Sequence, residues 1–307
     1  MSILVTGGFG FIGKEVVRQL SSQGNHVISF GRRVTAEKTN LNVSVIKGDV
    51  AEKRDVERVF EKYSIDKVVH LAYAMDIWGD NPKATIDVNV GAFVNIMEAC
   101  VYYNVKRIVW SSSVMVYGRP NEYTGRVNED SITNPDTFYG NCKKFDEYIS
   151  NHYSEKFGID SICLRPTTVY GPGRYARGAA AFLYDIALAT IQNKHTELYL
   201  GLSKTDLVHV KDVARAFTLA IEAKNNKSKI YNISGFEIDA HGLLGIIREI
   251  NNEPPPVTLL PNENNRFPSK IDRSLAKKEL DYEPHISLKE GVKEYIKDFN
   301  PNIPISR

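Results

Sequence analysis

The chain has 307 residues, 42% of them hydrophobic and 25% charged, with a net charge of +2. That length supports one large or two modest cores, and the near-neutral balance excludes nucleic acid as the default partner. Three cysteines, Cys100, Cys142 and Cys163, form no CxxC pair and read as reduced, buried thiols, while seven scattered histidines show no ligand spacing, so no metal site is expected. No apolar run is expected to span a membrane and residues 2–13 lack the pattern of a leader, which points to a cytoplasmic protein.

The first half of the chain alternates short apolar runs with amphipathic ones. Ser2 to Val5 reads as a strand and Phe11 to Ser22 as a helix. Strands follow at His26 to Phe30 and Ser44 to Lys47, then a helix at Val56 to Tyr63 and a strand at Lys67 to Leu71. A long loop holding Trp78 and Pro82 leads to a helix over Thr85 to Tyr103, with Val88, Ala92, Ile96, Ala99 and Cys100 on one stripe. Lys106 to Ser111 is a strand, Asn141 to Ser154 a helix and Ser161 to Arg165 a strand. Strands alternating with helices predict crossover units and an α/β fold built on a doubly wound parallel sheet of the Rossmann type. After Arg165 the pattern loosens at Pro166 and Pro172. Asn251 to Pro268 reads as loop, Asp272 to Leu280 and Leu288 to Phe299 as helices, and the tail after Asn300 as a frayed end.

The run "LVTGGFGFIG", Leu4 to Gly13, places glycines between the first strand and the first helix. This is the dinucleotide fingerprint in the context it requires. Gly7 and Gly8 permit a tight turn, Gly10 lets the backbone approach a pyrophosphate at the helix N-terminus, and Gly13 lets helix and strand pack closely. Phe11 and Ile12 belong to the same cofactor-binding turn. An acid that holds the ribose 2′-hydroxyl is expected at the end of the second strand. That strand ends "ISFGRR", with Gly31 in the acid's place and Arg32 and Arg33 after it. Two guanidiniums can clamp a 2′-phosphate, which favours NADP(H), with NAD(H) as the alternative. A solvated basic turn is the other reading of the arginines.

"TFYGNCKKF" holds Tyr139 and Lys143 four residues apart, on one helix face. An ammonium beside a phenol is expected to lower its pKa from about 10 and so make Tyr139 a general acid or base. "WSSSVMVYG" ends the fifth strand, where ligands bind in such sheets, and offers a hydroxyl to orient a substrate oxygen.

Together these motifs resemble an extended short-chain dehydrogenase/reductase, of the NAD-dependent epimerase/dehydratase family. "TGGFGFIG" resembles its TGxxGxxG, "GDV" its adenine-side acid motif and "VVHLAY" its VxHLAA. "NVGAFVNIMEAC", "YGNCK", "LRPTTVYGPG", "LVHVKDVARA", "YNISG" and "DRSLAKKELDYEP" resemble further family motifs nearly to the end of the chain. The resemblance implies a Ser113, Tyr139 and Lys143 catalytic set. It puts Asp49 and Val50 at the adenine, Leu71, Ala72 and Tyr73 along the cofactor, and Ser111 on the cofactor side. Pro166, Thr168 and Val169 would line the nicotinamide. Asn89 is either a helix anchor or a cofactor contact. Tyr73 and Trp78 would face the substrate pocket, or serve as lid or core plug. In this family helices such as Thr85–Tyr103 and Asn141–Ser154 often pair across a homodimer, although burial within one monomer explains their stripes equally well.

Departures from the family pattern narrow the expectation. The proton-transferring pair that 4,6-dehydratases carry after the catalytic hydroxyl is replaced by Val114 and Met115, which excludes 4,6-dehydration. Thr168 and Thr205 stand where nucleotide-diphosphate enzymes often have Asn and Arg, with Lys204 and Arg266 as substitute contacts. Arg174, Tyr175 and Arg177 either meet an anionic substrate or lie in solvent. The first expectation is therefore an oxidoreductase that transfers hydride at a secondary alcohol or ketone. A sugar or nucleotide-sugar epimerase with a retained cofactor is the alternative. A dinucleotide sensor without catalysis is a third, disfavoured because Ser113, Tyr139 and Lys143 are all present. Residues 1–170 with about 205–233 are expected to form the dinucleotide-binding domain, and about 171–204 with 234–307 a smaller C-terminal substrate region.

Overall fold

Residues 2–6, "SILVT", alternate their side chains between two faces, as any strand does. Here both faces are covered. Ile3 and Val5 join one core cluster and Leu4 another. Strands buried on both sides read as unbroken apolar runs, which is why alternation is weak in the sequence. The computed structural model describes residues 1–34, 42–174, 180–199, 204–224, 229–261 and 267–298.

In chain order the elements begin with β1 (Ser2–Thr6), α1 (Phe11–Ser22), β2 (His26–Gly31), β3 (Val43–Lys47), α2 (Lys53–Lys62) and β4 (Lys67–His70). A short helix α3 (Pro82–Ile86) runs through a wide turn into α4 (Ala92–Tyr102), followed by β5 (Arg107–Ser111), α5 (Phe138–Phe157), β6 (Ser161–Pro166) and β7 (Thr168–Tyr170). Then come α6 (Ala181–Gln192), β8 (Thr196–Tyr199), β9 (Thr205–His209), α7 (Val210–Glu222), β10 (Ile230–Ile233), β11 (Phe236–Ile238), α8 (Ala240–Asn251), β12 (Val257–Leu260), α9 (Ser274–Leu280) and α10 (Leu288–Asp298).

The large sheet has seven strands in the order β10-β6-β5-β4-β1-β2-β3, and every pairing in it is parallel. From β1 the chain winds outward to β2 and β3, then returns to β4 on the other side of β1. The carboxyl ends of β1 and β4 therefore flank the crevice where open sheets of this kind bind ligands. Helices α1 and α7 cover one face through Val16, Leu20, Val213 and Phe217. Helices α2, α4 and α5 cover the other through Val56, Phe60, Phe93, Ile96 and Ile149. A separate core gathers α6, α8 and α10 around Leu183, Ile186, Leu243, Ile247 and Tyr295.

The predicted doubly wound α/β fold is present, with differences at element ends. The fifth helix begins at Phe138 rather than Asn141, because the Thr137 hydroxyl accepts from the Gly140 N–H at 3.0 Å and caps it. It runs on until Gly158 turns it off with φ of 71°. Tyr139 thereby falls in the first turn. The stretch expected to be loop at Asn251 to Pro268 contains β12, which pairs in parallel with β8, since "VTLL" offers β-branched and apolar residues to a strand edge. Within residues 205–233, β10 joins the large sheet and α7 packs on it, while β9 pairs with β7 and β11 in a small three-stranded sheet. Contrary to expectation, the helical run Pro82–Tyr102 is long and apolar enough to cross a membrane by length and composition. Its Phe93, Ile96, Met97 and Cys100 are nonetheless buried against the sheet. The three cysteines are buried and unpaired.

Candidate active site

The glycine turn is held against the end of β4. Gly7 has φ of +67°, and a Cβ there would stand 2.7 Å from the Ala72 backbone nitrogen. Gly13 packs its Cα side onto the Gly7 carbonyl, where any side chain would overlap. Gly10 caps α1 with extended backbone and no side-chain hydrogen bond, so the first-turn N–H groups have no capping side chain. A cradle that side chains would fill, opening onto a helix N-terminus, fits a dinucleotide pyrophosphate.

Beyond the turn, Phe9 lies over Gly31, 3.3 Å from where a Cβ would stand. Arg32 and Arg33 are exposed, and Arg32 lies 3.7 Å from the Asp49 carboxylate. Asp49 closes its own turn by accepting from the Ala51 N–H at 3.0 Å, and Val50 beside it is buried. These residues form one end of the crevice. Leu71, Ala72 and Tyr73 line its β4 side, half-buried. Asn89 resolves as an anchor: its side chain exchanges two hydrogen bonds with Ala74, at 2.7 and 3.1 Å, and so ties the loop after β4 to the start of α4.

The catalytic candidates come together at the end of β5. Ser113 follows the strand in extended backbone, and its hydroxyl accepts from the Met115 N–H at 3.2 Å. Ser113 and Tyr139 are both buried, and the Ser113 hydroxyl favours the Tyr139 phenolate. Lys143 is one turn along α5, with its ammonium 5.8 Å from the Tyr139 ring centroid. It donates to the Ser111 carbonyl at 2.6 Å. Burial pushes Tyr139 up to about 12, against the pull of the Ser113 hydroxyl and the Arg174 guanidinium. The expected lowering by Lys143 is not found: burial dominates, and the groups that pull the other way are Ser113 and Arg174.

The remaining candidates scatter around this centre. Pro166, Thr168 and Val169 are buried, and among the described residues the Thr168 hydroxyl has no hydrogen-bond partner. Arg174, after β7, lays its guanidinium over the Phe11 ring at 5.4 Å and acts electrostatically on Tyr139, so it faces the protein and not open solvent. Val114 is buried in a short turn and Trp78 is exposed on the loop after β4. That loop is fixed by Asp76, whose carboxylate accepts from the Gly79 N–H at 2.9 Å and the Thr85 hydroxyl at 2.7 Å. Lys204 pairs with Glu237 at 3.9 Å. Tyr175, Arg177 and Arg266 lie outside the described residues.

Two groups escaped the sequence reading. Behind Ser113, Arg165 makes a two-pronged contact with Glu147, at 2.8 and 2.6 Å, and the Ser112 hydroxyl donates to the same carboxylate at 2.6 Å. Glu147 is four residues beyond Lys143, a spacing that places it on the same helix face. The second is Asp146, one turn from Lys143 and 1% exposed, which accepts from the Tyr73 hydroxyl at 3.1 Å.

The sequence profile of the NAD-dependent epimerase/dehydratase family matches residues 3–234. The chain is 31% identical to a putative UDP-glucose 4-epimerase of Methanocaldococcus jannaschii over 302 residues, covering 96% of this chain and 97% of that relative. Its fold matches a UDP-glucose 4-epimerase of Thermus thermophilus in complex with NAD, at a TM-score of 0.86 and 26% identity, over 99% of this chain and 100% of that one. It matches a UDP-glucose 4-epimerase of Thermotoga maritima with UDP-glucose at 0.86 and 27% identity, over 97% and 98% of the two chains. The chain belongs to the NAD-dependent epimerase/dehydratase family and is an enzyme of the extended short-chain dehydrogenase/reductase type.

Proposed function

We propose that this enzyme inverts a hydroxyl-bearing carbon of a nucleotide-linked sugar by transient oxidation, and keeps its dinucleotide through the cycle. The observation that carries the redox chemistry is the buried Ser113 and Tyr139 hydroxyls brought together with the Lys143 ammonium at the end of β5. Likeness to UDP-sugar epimerases over nearly the whole chain supports the substrate class and the retained cofactor. In this reading a bound nicotinamide supplies the hydride acceptor and donor. The Tyr139 oxygen would take the substrate hydroxyl proton and return it once the charges of Lys143 and the bound nicotinamide offset the burial that raises its pKa, Ser113 would orient the reacting oxygen, and Lys143 would keep a positive charge near both. Val114 and Met115 offer no proton-transfer group, which supports inversion over elimination of water.

Gly7, Gly10, Phe11, Ile12 and Gly13 would hold the pyrophosphate, with Asp49 and Val50 at the adenine. Leu71, Ala72, Tyr73, Ser111, Pro166, Thr168 and Val169 would follow the cofactor towards the nicotinamide. Trp78, Val114 and Arg174 would meet the substrate. The proposal includes a homodimer through α4 and α5, because Phe145 and Tyr148 are exposed on α5 with their rings stacked at 6.2 Å.

A second reading keeps the same three residues and makes the enzyme a net NADP(H)-dependent oxidoreductase. Gly31 in place of an acid, followed by Arg32 and Arg33, favours it. Tyr139→Phe tests what the two readings share: turnover should fall by about 10²- to 10⁴-fold while dinucleotide binding, followed by fluorescence titration, stays near normal. Retained turnover contradicts both.

A further inference from the structure

Lys143 is 3% exposed, and its ammonium has an unusual neighbour. Nζ lies 3.1 Å from the centroid of the Tyr73 ring, while it donates to the Ser111 carbonyl at 2.6 Å. Tyr73 stands where the family motif VxHLAA has a small residue. Its ring packs edge-to-face on Tyr139 at 5.5 Å, and its hydroxyl donates to Asp146 Oδ2 at 3.1 Å. Asp146 Oδ1 has no hydrogen-bond partner among the described residues. An ammonium with one neutral acceptor and a carboxylate with one donor are each costly to bury alone. Here they sit one turn apart on α5 and share Tyr73 as a common contact.

We propose that Tyr73 and Asp146 are a positioning pair, which holds the Lys143 ammonium in its charged form at a fixed place beside Tyr139. The proposal rests on the functional reading above for what Lys143 serves. The negative face of the Tyr73 ring attracts the ammonium, and this attraction is stronger in a dry site than at a surface. The Asp146 hydrogen bond fixes the ring.

The charged surroundings single out Asp146 as the balancing acid. Acting on Lys143 from α5 are Asp146, Glu147 and Cys142, and from β6 Cys163. Glu147 is already committed to Arg165. Burial holds the Cys142 and Cys163 thiols above their ordinary range, hence neutral. On β4, burial and the Lys143 charge push His70 down to about 3, so it too is neutral. Burial pushes Lys143 itself down to about 8, and Asp146 opposes that fall. Burial pushes Asp146 up to about 7, against the pull of Lys143 and the Tyr73 hydroxyl.

The test uses the full chain with ¹³C-labelled lysine ε-carbons, and Lys143→Arg to identify the resonance. The Lys143 ε-protons should lie upfield of the other lysines because they face the ring. Tyr73→Phe, which removes the hydrogen bond to Asp146, should weaken that shift, and Tyr73→Leu should abolish it. In Asp146→Asn the Lys143 titration midpoint should fall by about one pH unit or more, a tenfold change in acidity. The alkaline limb of turnover should move down with it. An upfield shift that survives Tyr73→Leu, or a midpoint unmoved in Asp146→Asn, overturns the pair. A midpoint that moves without the turnover limb also overturns its role. Should Tyr73→Leu fail to fold, Asp146→Asn decides alone. If the unaltered chain turns over no nucleotide sugar, that counts against the proposed function, and the lysine midpoint still decides the pair.

Discussion

Gly7 lies so close to Ala72 that a single added methyl would stand 2.7 Å from the Ala72 nitrogen. Gly7 belongs to the turn after β1 and Ala72 to the exit of β4, so their contact sets the width of the crevice between the two strands. Gly7→Ala meets both this overlap and a φ of +67°. It should cost at least ~1–2 kcal/mol from the backbone conformation alone and lose dinucleotide binding. Urea unfolding with and without NAD measures both effects.

Arg165 and Glu147 form a buried ion pair, 3% and 9% exposed at the side chain. Glu147→Gln leaves the guanidinium without its counter-charge and should lower stability by about 3–5 kcal/mol, the range for breaking one partner of a buried pair. Chemical denaturation checks this. Loss of only a few tenths would mean that Tyr117, which accepts from Arg165 at 2.8 Å, is sufficient partner.

Asp206 is buried between Thr167 and Gly235, and burial pushes its carboxyl up to about 6. The folded chain therefore holds this proton to higher pH than the unfolded chain, whose carboxyl titrates near 3.9. The contribution of Asp206 to stability is full below that value and is lost as pH rises through about 6. Asp206→Asn keeps an oxygen for the Thr167 hydroxyl and the Gly235 N–H, and should remove this fall. Unfolding curves of both proteins between pH 4 and 7 should converge at the acid end.

The stacked pair Phe145 and Tyr148 tests the homodimer. Phe145→Glu together with Tyr148→Glu places charges on an apolar face and should convert the chain to monomers in sedimentation, with the circular dichroism of the folded chain unchanged. A wild-type chain that sediments as a monomer contradicts the dimer.

The doubly wound sheet and the glycine turn were legible because they rest on local signals: apolar runs of strand length, glycines at fixed offsets and a helix following directly. Tyr139 and Lys143 stand out by their spacing and Ser113 only by the family resemblance, and in the fold the Ser113 hydroxyl acts on Tyr139. What the sequence did not carry was environment. The pKa of Tyr139 moves up rather than down, because burial set by the tertiary fold outweighs the pull of Ser113 and of the Arg174 guanidinium. Asp146 looked like any surface acid of a helix, and only the fold brings Tyr73, 73 residues away, onto it. The strand at Val257–Leu260 was hidden by the prolines and asparagines around it, and needs β8 as its partner to form.

The most direct test of the account is to incubate the purified chain, with the dinucleotide it carries and none added, with UDP-glucose and UDP-glucuronate, and to follow the sugar ring protons by NMR. The account predicts an epimer accumulating over many turnovers with no net reduction of dinucleotide. An oxidised product formed only in step with added NADP would contradict it, and would make the enzyme a net oxidoreductase.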